Sequence, residues 1–426
     1  MPPELAAAPP AYAWRDFARF AGPGYLVAVG YMDPGNWATD LAGGSAYGYR
    51  LLWVVAMASA MAMLLQVMAS RLGLVSGLDL AQACRRHASP LSAWSQWVLC
   101  EVAICAADLA EVIGTAIALN LLFGLPLPWG VALTVLDVLL VLVLQQRGYR
   151  RLEVFVISMV VLVLGCFLLM LALAQPAWPD LAAGLVPRMA VLGDAGALYI
   201  ATGIIGATVM PHNLYLHSAV VKTRLPHADR QGTERALRYI AFDTVTALAV
   251  AFVINSAILV TAAGVFHAAG RTDVAEIQDA YRLLSPLTGA TWASVVFGVA
   301  LLASGQCSAV TATLAGQVVM EGFIRTRLPP WARRLLTRCV AIVPALVVAI
   351  LFAERGMAQL LLVSQVILSL QLPFAAIPLL RFTSDRRLMG RYANSRTVFV
   401  LATLAVGIIV AMNVAMVVMT LTAWRP

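Results

Sequence analysis

The sequence predicts an all-α polytopic membrane protein of eleven transmembrane helices, arranged as a five-plus-five inverted repeat whose first and sixth helices are discontinuous. Three observations carry this. Of 426 residues, 61% are hydrophobic and only 12% charged, with a mean hydropathy of +0.85, far too apolar for a water-soluble domain. Charge-free windows of about 20 residues recur, each long enough to cross a hydrocarbon core. Two of these apolar runs, five spans apart, are interrupted by Asp33-Pro34-Gly35-Asn36 and by Met210-Pro211-His212.

Apolar runs between charged or Pro/Gly-rich breaks place spans at 22–42, 51–71, 92–121, 127–146, 153–175, 195–222, 236–265, 288–322, 333–353, 356–380 and 397–423. Spans one and six are equivalent members of two five-helix halves, and the odd offset inverts the second half. That is the pattern of a transporter with its site at mid-membrane between discontinuous helices. The expected organisation is an N-terminal segment 1–21, a first repeat 22–175, a second repeat 195–383, and an appended helix within 396–426.

Eleven spans put the termini on opposite sides. With the N-terminus cytoplasmic, only Arg50, Arg188, Arg271, Arg282, Arg355 and Arg425 fall outside, leaving 23 of the 29 Lys and Arg inside. The positive-inside rule therefore places the N-terminus in the cytoplasm and the C-terminus outside. The net charge of +8 fits anionic lipid headgroups and calls for no nucleic acid. No cleavable signal peptide is evident. Six scattered cysteines without a CxxC pair suggest neither a disulfide framework nor a zinc cage; those in apolar runs read as packing residues.

In the first span, Pro34 removes a backbone donor and Gly35 weakens helix propensity, so the chain should unwind around Asp33. Irregular backbone at that depth belongs in protein or beside a cavity. Asp33 offers a carboxylate, Asn36 an amide oxygen, and the freed carbonyls before Asp33 further ligands. In the sixth span, Pro211 frees the carbonyl around Ala207, and Met210 can face Asp33 across the gap. Oxygens alone would suit magnesium or calcium; the thioether turns the set toward first-row transition metals.

The third span carries Glu101, Asp108 and Glu111, which at about 100° per residue share one face. Intramembrane acids mark ion pathways or proton relays, and His212 and His217 can titrate as well. Asp33 is the natural coupling point, because an arriving divalent cation favours its ionised form and expels its proton. Some acids could instead pair with Arg224 at the end of span six. Gln66, Asp137, Asp243, Asn255, Gln306, Gln317 and Gln371 read mainly as interhelical hydrogen-bonding groups. Gln365 reads as a late-helix ligand or gate.

These residues are recognisable. The stretches GYMDPGNWATD from Gly30, GATVMPHNLYLHS from Gly206, LLASGQCSAVTATLAGQVVMEGF from Leu301 and SQVILSLQLPFAAIPL from Ser364 resemble the Nramp family of proton-dependent manganese transport proteins over nearly the whole chain. The resemblance implies a LeuT-like fold and inward symport of Mn²⁺ or Fe²⁺ with protons. By position it implies metal ligands at Asp33, Asn36, Met210 and the Ala207 carbonyl, with Gln365 joining in some conformations and a backbone carbonyl at Gly30, where relatives often carry Ala. It maps the proton route to Asp33, His212, Asp108 and Glu111, with Glu101, Arg224, His217 and Arg338 further along. Met210 places the chain with the transition-metal branch, whereas family members that move magnesium or aluminium typically lack that ligand.

The expectation is therefore a proton-coupled Mn²⁺ and Fe²⁺ importer of a bacterial inner membrane, monomeric, with Co²⁺ and Cd²⁺ also suited to its ligands. It holds no resident cofactor and is no enzyme, since no nucleophile and base are paired near an oxyanion donor. The alternatives are an Nramp-related carrier of another divalent metal, or a cation-coupled organic-solute symporter on the same fold. A fixed Asp and Met at the centre disfavour the carboxylate substrate of such a symporter.

Overall fold

The computed structural model describes residues 20–136, 149–224, 230–324 and 329–423. Most of the expected N-terminal segment, the second half of the fourth span with Asp137, and Arg325, Arg327 and Arg425 lie outside the described residues.

Among the described residues all regular structure is helical. The first span opens with α1 (Pro23–Ala28), tightens into a 3₁₀ turn over Val29–Met32, breaks at Asp33, and resumes as α2 (Pro34–Tyr47). A second 3₁₀ turn, Gly48–Leu51, leads into α3 (Leu52–Ser76). A short α4 (Leu80–His87) precedes the long α5 (Pro90–Phe123). Then come α6 (Leu127–Leu133), α7 (Tyr149–Ala174) and a short α8 (Trp178–Gly184). The sixth span is split into α9 (Ala195–Val209) and α10 (Pro211–Val220). The remainder is α11 (Arg230–Ala262), α12 (Ile277–Thr288), α13 (Ala293–Ile324), α14 (Pro330–Leu351), α15 (Ala353–Ser384), α16 (Arg386–Met389) and α17 (Arg396–Ala423).

Several helices run past the predicted spans by a few residues, and two differences change how the chain is divided. The eighth span begins at Ala293 rather than 288, because Ile277–Thr288 is a separate amphipathic helix ended by Gly289 in the left-handed region. The helix α4 is an addition; Asp79 and Gln82 close a reciprocal capping box at its start, a local Asp-x-x-Gln signal.

The packing repeats in twofold fashion. Span two (α3) lies on span seven (α11), and span three (α5) on span eight (α13). The contact of span one (α1, α2) with span seven is mirrored by that of span six (α9, α10) with span two, and the contact of α5 with α15 by that of α13 with α7. This pairing is what two inverted five-helix units produce when they interlock, and it buries both broken helices at the centre. Lipid does not drive apolar helices together, so close approach through small residues matters here. A Cβ at Gly44 of α2 would collide with the Leu259 carbonyl oxygen of α11, and one at Gly114 of α5 with the Pro34 ring. Because a backbone carbonyl cannot swing aside, Gly44→Ala is expected to cost about 1–3 kcal/mol. A thermal melt of the purified protein showing no loss would contradict this close approach.

Candidate metal site at the broken helices

The sequence Asp-Pro is itself a helix-start signal, a capping residue followed by proline at the first helical position. In the structure Asp33 is extended (ψ 164°) and caps α2: its Oδ1 accepts from the Asn36 amide at 2.8 Å and from Asn36 Nδ2 at 2.7 Å. Span one thus restarts as a new helix rather than merely kinking, and one carboxylate oxygen is committed to the restart. The other, Oδ2, is buried with no hydrogen-bond partner among the described residues.

Pro211 has no N–H to give the Ala207 carbonyl, which instead accepts from Asn36 Nδ2 at 3.1 Å. Asn36 therefore bridges the two broken helices. Its own Oδ1 accepts from Asn255 Nδ2 at 3.3 Å and lies 3.5 Å from the Thr208 hydroxyl. The carbonyls unwound ahead of Asp33 are held as well: Tyr31 O accepts from Asn255 Nδ2 at 2.9 Å, and Met32 O accepts from Trp37 Nε1 at 3.2 Å and from the Ser304 hydroxyl. Asn255 is an interhelical hydrogen-bonding group, as read from the sequence. Its attachment to the break itself was not legible there.

Met210 is buried, and its Sδ accepts from Asn213 Nδ2 at 3.4 Å. Asn213 reaches it across Gly30, where a Cβ would run into the Asn213 amide. Gly30 thus does more than offer a carbonyl; its missing side chain makes room for the group that orients the thioether. The Gln365 amide lies against the Gly35 Cα from α15, with Oε1 buried and unpartnered among the described residues. Asp33, Asn36, Ala207, Met210, Gly30 and Gln365 are accordingly gathered at one crossing of α2, α9, α10 and α15.

The third-span acids separate into two groups. Asp108 Oδ1 accepts from Arg338 Nη1 of α14 at 2.8 Å, and Glu111 Oε2 is 3.6 Å from the same nitrogen. All three are almost fully buried. Gly114, three residues after Glu111, abuts the Pro34 ring, so this triad stands beside the break in span one. Glu101 is half-buried and accepts from Trp97 Nε1 at 3.0 Å. Arg224 pairs with Glu153 of α7, whose carboxylate rests on Gly22, and Asp243 accepts from the Gly22 and Gly24 amides at the start of α1. Arg224 is thus drawn to a different set of carboxylates, at the opening of span one.

His217 Nδ1 lies 2.9 Å from Gln66 Oε1, and Gln66 Nε2 donates to the Tyr31 hydroxyl at 2.7 Å. His217 Nε2 is 3.5 Å from the Thr244 hydroxyl. A buried polar chain therefore ties spans seven, six and two to the broken first helix. His212, two residues beyond Met210, is buried with Nδ1 unpartnered among the described residues.

A membrane-embedded, twofold-related helical core with two interrupted helices meeting at a buried carboxylate defines a membrane transporter rather than an enzyme. The family model described as Natural resistance-associated macrophage protein-like matches residues 24–419, and the chain belongs to that family, Nramp. It is 56% identical to the divalent metal cation transporter MntH of Xylella fastidiosa, over 93% of this chain and 84% of that one. It is 53% identical to MntH of a Nostoc species, over 96% and 93%. A crystal structure of the Eremococcus coleocola manganese transporter superposes with a TM-score of 0.87 at 41% identity, covering 95% of this chain and 87% of that one. The fold is the LeuT-like inverted repeat.

Proposed function

We propose that the chain imports divalent transition-metal ions, Mn²⁺ and Fe²⁺, across a bacterial inner membrane by alternating access in symport with protons, with the N-terminus cytoplasmic and the protein acting as a monomer. The observation that carries the reading is the buried Asp33 Oδ2, without a hydrogen-bond partner among the described residues, at a break in span one that Asn36 ties to the Ala207 carbonyl of the broken span six. The donors would be Asp33, Asn36, Met210 and the Ala207 carbonyl, joined by Gln365 and the Gly30 carbonyl as the helices shift. The same donors suit Co²⁺ and Cd²⁺, since affinity within the first row follows an intrinsic order. The names of the Xylella and Eremococcus relatives support a divalent-metal substrate.

Asn36 Nδ2 donates to the Ala207 carbonyl, so a cation entering between them would break that bond and require the Asn36 amide to turn, presenting Oδ1 in place of Nδ2, before both oxygens could ligate it. Cation arrival favours ionised Asp33, and its proton leaves through His212 or the neighbouring Asp108–Glu111–Arg338 triad, with Glu101, His217 and Arg224 as further stations. The clasp of Asp243 and Glu153 on the start of α1, held from Arg224, would open when the inner mouth opens.

Proteoliposome uptake tests the metal side directly. Wild type is expected to move Mn²⁺ with acidification of the lumen and to exclude Ca²⁺. Met210→Ala is expected to keep transport but admit Ca²⁺ or Mg²⁺, because it removes the soft donor and leaves the hard ones. Unchanged selectivity would reduce Met210 to packing.

A further inference from the structure

Asp40 is an acid of span one for which the metal site has no use. It lies four residues beyond Asn36 and seven beyond Asp33, hence within about 40° of both around α2. At 1.5 Å per residue it stands about 10 Å outward of Asp33 on the proposed orientation. The residue is 1% exposed, and its buried Oδ2 has no hydrogen-bond partner among the described residues.

The surroundings are fixed by the residues that bracket it. One turn inward, Asn36 touches Ala207 of α9 and Asn255 of α11. One turn outward, Gly43 faces Ile200 and Ile204 of α9, and Gly44 meets the Leu259 carbonyl of α11. Asp40 therefore enters the seam where α2, α9 and α11 meet. Between Ala195 and Val209, α9 carries no Asp, Glu, His, Lys or Arg, with Tyr199 its sole titratable group; α11 from Thr244 to Ala262 carries none. The nearest charged group on α2 itself is Asp33, of the same sign. At the outer end, His267 is engaged with the Ser45 carbonyl at 2.7 Å, and Arg50 is exposed.

A buried carboxylate whose nearest charged group on its own helix is another acid, and which meets no charged residue on the facing parts of α9 and α11, is costly as an anion. An alkali-metal ion would need five or six oxygens, and the flanking Ile200, Ile204 and Gly43 supply none from their side chains. We propose that Asp40 is a proton-binding site separate from the metal seat: a carboxyl that takes up a proton from the outer side when the outer part of α2 separates from α9 and α11, keeps it while the seam is closed, and passes it inward by way of Asp33. This deepens the proton-coupled reading, and one arm of its test is independent of that reading.

Infrared difference spectra of the purified full chain in lipid bilayers, recorded in H₂O and in D₂O, read protonated carboxyls directly. Wild type is expected to show a protonated-carboxyl C=O band that exchanges slowly, persists in Asp33→Asn and is missing in Asp40→Asn. The same band in Asp40→Asn as in wild type overturns the proposal, and so does a wild-type band abolished by Na⁺ but not K⁺, which would indicate an alkali-metal site. Should Asp40→Asn fail to fold, Asp40→Glu serves, and a band at an unshifted frequency there is equally adverse. In proteoliposomes, Asp40→Asn should lower the protons entering per Mn²⁺ relative to wild type. If wild-type Mn²⁺ uptake brings in no protons, the symport reading fails while the infrared result on Asp40 stands.

Discussion

Asp33→Ala is expected to abolish Mn²⁺ uptake while costing the fold little. Two separate jobs meet in this carboxylate. Oδ1 caps α2 through two bonds from Asn36, and losing a cap of this kind costs about 1 kcal/mol. Oδ2 is buried without a partner among the described residues and is the anionic donor of the proposed seat. Loss of a group that merely orients a metal ligand lowers affinity or activity about 10- to 100-fold, so loss of the charged ligand itself should exceed that. Asp33→Asn separates the two jobs, since an amide oxygen can still cap α2 without supplying charge. It should melt like wild type and still fail to transport. Wild-type uptake by either variant would remove Asp33 from the metal site, and Asn36→Ala, which breaks the bridge to Ala207, should fail in the same assay.

Arg338→Ala is expected to have the largest effect on stability. The guanidinium lies 2.8 Å from Asp108 and 3.6 Å from Glu111, all three sealed within the bundle. Removing one member of a buried ion pair leaves its partner charged and unsolvated, at a cost of about 3–5 kcal/mol, and here two carboxylates are left facing each other. The expected result is a large fall in melting temperature or failure to accumulate in the membrane. The triple variant Arg338→Met, Asp108→Asn, Glu111→Gln removes the charges together and should recover much of the lost stability without restoring proton movement. A single variant as stable as wild type would mean that the acids find another cation, and that the triad is not the unit described.

How far the sequence reaches is clear at particular residues. Both breaks in the spans were legible, because proline acts on its own backbone: Pro34 and Pro211 remove donors whatever surrounds them, and Asp33 before Pro34 is a cap by local chemistry. The third-span acids were legible as a group, since helical periodicity puts Glu101, Asp108 and Glu111 on one face. Their partners were not. Arg338 lies 230 positions from Asp108, and its place came from family resemblance rather than from spacing. Arg224, the nearer candidate, went to Glu153. Gly30 and Asn213 show the same limit, because only the crossing of spans one and six reveals that a missing Cβ admits the amide that holds Met210. Asp40 sat in plain view within a recognised motif, yet nothing local marks it as lacking a counter-ion.

What the sequence determined by itself was the solvent, the long apolar helices, the two interruptions and the kinds of polar side chain beside them, since each follows from composition or from chemistry within a few residues. What the tertiary structure alone decided was which polar group meets which. Asn36 bridges to Ala207, Asn255 to Tyr31, Arg338 to Asp108 and Asp243 to the start of α1, each across well over a hundred residues of chain. Those choices depend on how each helix is rotated and how closely its neighbours approach. Rotation is set by the packing of small residues such as Gly44, Gly114 and Gly206 over whole interfaces, a sum of many weak contacts that no single stretch of sequence contains.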